Sequence, residues 1–160
     1  MSSNALRGVL AEYIVATALG AAASTRIEWD SVDIRTPEQR SVEVKSTAYL
    51  QSWAQTRPSA PSFDIAPKGA WDPETNKTST QKRRHADVYV FCLLHHQNKQ
   101  TLAPLDVDQW TFYVLPTRIL DERIPHQKTI TPSRLQRLDP LQADFAGLAT
   151  AVAACAEDAR

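Results

Sequence analysis

Between Asn4 and Gly20 the chain is largely apolar and built of good helix formers, with Asn4 placed to cap a helix and Gly20 to stop it. A helical step of about 100° per residue sets Arg7, Ala11 and Ala18 on one narrow side and everything else in a wide apolar arc. Glu12 falls in that arc, one turn from Gly8 and Ala16, where a carboxylate is costly unless it is paired or coordinated. From Arg26 to Thr47 the period drops to two, with Ile27 and Trp29, Val32 and Ile34, and Val42 and Val44 as the apolar members of successive strands. Thr36–Arg40 is the polar turn between the last two. A hairpin centred on Glu38 sets Asp33 opposite Glu43 and Arg35 opposite Ser41, so that Asp33, Glu43 and Lys45 share one face and Ile34 with the valines the other.

Tyr49 to Gln55 reads as a short helix, and Arg57 to Ala86 as a long Pro-, Ser-, Thr- and Lys-rich segment with no sustained period. Asp87 to Leu94 is a continuous apolar run of β-formers, the pattern of a central strand covered on both faces, and Trp110 to Leu115 reads as another strand. Thr131 and Pro132 cap a short helix through Leu138, and Leu141 to Cys155 is an alanine-rich terminal helix. The fold class is therefore α/β, a central mixed β-sheet flanked by helices. We expect one domain over residues 1–160, with a basic loop at about 57–86 and a C-terminal helical addition at about 131–156.

Composition adds constraints on partners. The 160 residues carry 18 Lys plus Arg against 18 Asp plus Glu, so no global positive field favours a nucleic acid, and any such binding must be local. The local candidate is Thr75–Ala86, which holds Lys77, Lys82, Arg83, Arg84 and His85 and no acid. Cys92 and Cys155 lie in apolar surroundings without a Cys-x-x-Cys partner and read as reduced core residues. The N-terminal apolar stretch resembles a signal peptide, but Glu12 interrupts it, and the uninterrupted run after it is too short to span a bilayer. The expectation is a cytoplasmic protein with no membrane association. Only four glycines occur and none forms a phosphate-binding loop; no nucleophile elbow supports Ser-His-Asp chemistry; and Cys92 with His95 has no second pair of zinc ligands.

Two carboxylates facing each other on a sheet repel unless a cation or a proton sits between them. Hard divalent ions such as Mg²⁺ favour carboxylate and carbonyl oxygens, and Lys45 would stand beside such an ion on the same face. Asp33, a spacer, then Glu43-Val44-Lys45 resembles the core motif of the PD-(D/E)XK nuclease superfamily, whose restriction-endonuclease-like fold begins with a helix and a β-meander. The resemblance runs from about residue 4 to 94 in the order helix, three strands, helix, strand. Val32 stands where the motif's name has proline, and Asp30 is a rival for the first acid, though odd-spaced from Glu43.

The resemblance implies that Asp33, Glu43 and the Val44 carbonyl hold Mg²⁺, for which Mn²⁺ could substitute. It makes Lys45 the catalytic lysine and Glu12 a group that orients water or a second ion. Gln51 resembles the extra polar residue that some members present after this strand. The implied reaction is metal-dependent phosphodiester hydrolysis, with water attacking in line and a 3′-hydroxyl leaving. DNA is the expected substrate, with RNA left open. Lys77, Lys82, Arg83 and Arg84 become candidate phosphate contacts, and Trp53 and Trp71 candidate stacking groups. A homodimer or a recognition partner would enlarge the limited contact area of one small domain. Two plainer alternatives remain: a catalytically inactive nuclease-fold module that binds nucleic acid or a protein, and an unrelated hairpin whose charges form surface salt bridges.

Overall fold

The computed structural model describes residues 4–21, 31–51 and 60–158. The strand expected near 26–30, including the rival acid Asp30, lies outside these residues. So do Trp53 and residues 52–55 of the short helix expected after Lys45; Tyr49 and Leu50, within that stretch, form a bend.

A five-stranded mixed sheet organises the fold, its strands in spatial order β1 (Ile34–Arg35), β2 (Ser41–Ala48), β6 (Val88–Leu94), β7 (Trp110–Pro116) and β9 (Leu141–Ala143). β2 and β6 run parallel and the other neighbours antiparallel. Helices α1 (Asn4–Ala18) and α4 (Leu148–Glu157) cover one face, where Ala11, Ile14 and Val15 pack with Val42, Val44, Val88, Val90, Phe112 and Val152. The opposite face carries Tyr89, Phe91, Leu93 and Tyr113. It is covered by β3 (Phe63–Asp64) with β8 (Thr129–Ile130), and by helices α2 (Thr117–Arg123) and α3 (Pro132–Gln136). All seven residues of β6 are buried, as the unbroken apolar run requires of a strand covered on both faces. Among the described residues no helix is long and apolar enough to cross a membrane.

Parallel strands cannot be joined by a tight turn, so the chain between β2 and β6 must make a crossover. That is the job of the long segment without period. The crossover carries β3 against the second core and then an exposed hairpin, β4 (Trp71–Asp72) with β5 (Lys77–Thr78). Asp72 shapes the hairpin's turn by accepting from the Glu74 N–H at 2.9 Å and the Thr75 hydroxyl at 3.0 Å, while Asn76 takes a left-handed φ of 52°. Gly69 is required at the hairpin's base, because a Cβ there would meet the Ser79 carbonyl oxygen at 2.5 Å.

Two helical expectations need correction. Helix α1 ends as expected, with Gly20 at φ 71° and the Ala21 N–H bonded to the Ala16 carbonyl at 2.8 Å. However, it is rotated the other way: Arg7 and Ala11 are buried with Ile14 and Val15, whereas Leu6, Val9 and Tyr13 are exposed. Small Ala11 allows close packing on the sheet, and Arg7 is buried with its guanidinium donating to Asn4 and Gln51. The terminal helix begins later than expected. Asp139 at φ 55° and Pro140 break the chain, Leu141–Ala143 pair with β7 as an edge strand, and α4 starts at Leu148.

Candidate active site

The β1–β2 hairpin builds the site. Its register pairs Ile34 with Val42 and Arg35 with Ser41, the expected alignment, and the turn closes through the Thr36 N–H to the Arg40 carbonyl at 2.9 Å. Continuing that register by one residue sets Asp33 against Glu43. The Val44 N–H donates to Asp33 Oδ2 at 2.8 Å, which lays this carboxylate along β2. Glu43 and Lys45 project to the face of Tyr89 and Phe91, their partners in the parallel register, and away from α1.

Two cations meet Glu43 there. Lys45 Nζ lies 2.9 Å from Glu43 Oε1, and Lys68 Nζ lies 3.5 Å from the same oxygen. Burial pushes the Asp33 carboxyl above its ordinary range and the Glu43 charge adds to the rise; the Val44 N–H, Lys45 and Lys68 oppose it. Burial works against the Lys45 ammonium, but Glu43, with Asp33 behind it, more than offsets this and holds Lys45 above its usual value. Lys45 is therefore a fixed cation at neutral pH. Burial, followed by the charge of Glu43, likewise raises the Tyr89 phenol, which closes the floor of the site.

The other candidates are placed as follows. Glu12 is half-buried on α1, which covers the opposite face of β2. Among the described residues no group of three or more Asp, Glu, His or Cys side chains converges as metal ligands. Gln51 sits past the end of β2, donating to the Ala48 carbonyl at 3.0 Å and accepting from Arg7 at 3.2 Å. Lys77, Lys82 and Arg83 are exposed on the hairpin. Arg84 departs from the expectation, because its guanidinium is fully buried. It donates to the Ile65, Ile124 and Gln127 carbonyls at 2.9, 3.3 and 3.1 Å and to Asp121 Oδ1 at 2.9 Å, so it is a structural anchor with no face left for a phosphate. Asp87 caps the strand pair, exchanging bonds with Ser41.

Sequence reasoning missed Lys68, which pairs with Glu43 across the crossover. The signal that could have found it is the turn Asp72-Pro73-Glu74-Thr75-Asn76, whose turn residues mark a hairpin and so place Lys68 near its base.

Residues 1–130 of the 160 match the sequence model of the family described as Bacteriophage T4 endonuclease IV. The chain belongs to the bacteriophage T4 endonuclease IV family. The match takes in the β1–β2 hairpin, the crossover and β7, and stops before α3. Membership in this endonuclease family supports a nuclease, and with it a nucleic-acid substrate. No curated protein and no solved structure gives a significant match.

The raised Asp33 carboxyl has a consequence for stability in the absence of metal. A carboxyl lifted by folding is protonated more readily in the native than in the unfolded state, so its penalty is absent below the ordinary Asp range and grows as pH rises through it. Asp33→Asn keeps an oxygen for the Val44 N–H and removes the charge. Melting in EDTA should show a higher Tm than wild type at pH 7, with the difference vanishing toward pH 3.

Proposed function

We propose that the chain is a metal-dependent nuclease of the PD-(D/E)XK type that hydrolyses phosphodiester bonds in DNA. The observation that carries this reading is the meeting of Asp33, Glu43 and Lys45 at one place on the β1–β2 hairpin. The element order supports it too: helix, antiparallel hairpin, crossover, then a strand parallel to β2. The donor set suits a hard divalent cation, since it offers only oxygens and the mutual repulsion of its two carboxylates is what such an ion relieves.

Asp33, Glu43 and the Val44 carbonyl would hold Mg²⁺, or Mn²⁺ in its place. The ion supplies activation of water and stabilisation of the charge that develops on the phosphate. Lys45, held within 2.9 Å of Glu43 and largely buried, presents a positioned cation to that same charge. Its ammonium donates a hydrogen bond to a non-bridging phosphate oxygen. Lys77, Lys82 and Arg83 contact the backbone nearby, giving affinity without sequence readout. Glu12 and Gln51 take supporting places outside the reacting groups, and Arg84 acts through the fold alone.

Single-stranded, duplex and branched DNA, with an RNA counterpart, should be incubated with the protein in Mg²⁺, Mn²⁺ or EDTA. Cleavage of at least one substrate that stops in EDTA and returns with Mg²⁺ is the expected result. Folded protein that binds DNA and cuts none of these substrates would overturn the reading in favour of a non-catalytic binding module.

A further inference from the structure

We infer that Lys68 is a second substrate-binding lysine, one that grips a backbone phosphate of a nucleic acid lying along the exposed hairpin. The inference rests on the nuclease reading of the same site and adds to it a residue and a direction for the bound strand. Two ammonium groups share one oxygen of Glu43, and they are not equivalent. Lys45 is at 2.9 Å with 13% of its side chain exposed, whereas Lys68 is at 3.5 Å with 56% exposed. The first distance is that of a charge-assisted hydrogen bond; the second is longer than such bonds allow. Lys45 takes the short bond to Glu43, and Lys68, the more distant cation, stands half in water at the mouth of the site.

Its backbone, by contrast, is fixed. The Lys68 N–H donates to the Arg83 carbonyl at 2.9 Å, the Arg83 N–H donates back at 3.0 Å, and the Lys68 carbonyl meets His85 Nε2 at 2.8 Å. Arg84, the next residue on the partner strand, is clamped in the core. A flexible four-carbon side chain thus swings from a rigid point, the arrangement that lets an ammonium follow a phosphate at little cost in backbone entropy. Beyond Lys68 the hairpin extends to Asp72, four residues or about 13 Å of extended chain. That length matches about four phosphates of one strand at roughly 3.4 Å each. Lys82 and Arg83 are exposed on the returning strand and Lys77 at its far end, while the acids Asp72 and Glu74 are confined to the turn. The positive charge therefore leads from the hairpin's base into Glu43 and Lys45, and Lys68 occupies the junction.

The test is equilibrium binding of fluorescent single-stranded and duplex oligonucleotides in EDTA, from 50 to 200 mM salt, for wild type, Lys68→Ala, Lys68→Arg and the exposed control Lys99→Ala. Lys68→Ala should weaken binding about tenfold on every sequence and reduce the slope of log K against log salt by about one. Lys68→Arg should retain most of the affinity, and Lys99→Ala should change neither quantity. A lysine that merely neutralises Glu43 would lower the melting temperature and leave the salt slope intact, and that result overturns the inference. Cleavage in Mg²⁺, run alongside, separates the two claims. Wild type that cuts while Lys68→Ala keeps its slope removes Lys68 alone; wild type that binds without cutting removes the nuclease reading and leaves the slope to decide Lys68. Absence of binding by folded wild type overturns both.

Discussion

Lys45→Met is expected to lower the rate of DNA cleavage at saturating substrate and Mg²⁺ by about 10²–10³-fold, the loss seen when one preorganised donor to a developing negative charge is removed. Methionine keeps the length and most of the apolar stem, and Glu43 retains Lys68 as a counter-ion, so the β1–β2 hairpin has no reason to open. Two readouts separate chemistry from folding. The single-turnover rate should fall by the full factor, and the melting temperature should stay within a few degrees of wild type. A variant that cuts at a rate close to wild type would remove Lys45 from the reacting centre. Loss of rate accompanied by a large fall in melting temperature would make Lys45 a structural counter-ion of Glu43.

The part of the site that was legible in the sequence is the part written in local, period-two patterning. Thr36–Arg40 is a polar turn flanked by alternating strands, and one register satisfies both, so the facing of Asp33 and Glu43 followed from counting residues. Helix α1 was legible in extent and opaque in orientation. It is apolar almost all round, so amphipathicity does not choose a buried side; the choice falls to Ala11, whose small side chain permits close approach, and to Arg7, which finds Gln51 at the end of β2. A long-range contact decided the rotation, and with it the place of Glu12.

The crossover was harder because its structure depends on partners far along the chain. β3 is two residues long and exists because Phe63 pairs with Ile130, and Lys68 reaches Glu43 because β2 and β6 are parallel and the chain must return across that face. No periodicity within residues 57–86 encodes either fact. The basic run was no more legible: Arg84 is buried and Arg83 exposed, but a bend at Asp87 interrupts the strand. Two alternations back from Val88 would set Arg84 on the α1 face, whereas it reaches Ile65 and Asp121 on the opposite one, so only these distant partners separate it from its neighbours.

That separation yields the largest expected effect on stability. Arg84→Ala should destabilise the protein by roughly 3–5 kcal/mol, the cost of removing one partner from a buried, fully hydrogen-bonded charge. Asp121 is half exposed and water can solvate it, but the carbonyls of Ile65, Ile124 and Gln127 lose their donors in places the guanidinium had shielded. At about 2–4 °C per kcal/mol for a chain of this size, the melting temperature should fall by roughly 6–20 °C. Arg84→Lys should recover less than half of the loss, because one ammonium cannot reach acceptors on β3's end, Asp121 and the segment after α2 at once. Arg83→Ala, one residue away and exposed, should leave the melting temperature within about 1–2 °C and weaken DNA binding instead. The opposite pattern, with Arg84→Ala stable and defective in binding, would return Arg84 to the nucleic-acid surface. If the contrast holds, two adjacent arginines divide their work: the buried one roots the hairpin that carries Lys68, and the exposed one meets the substrate.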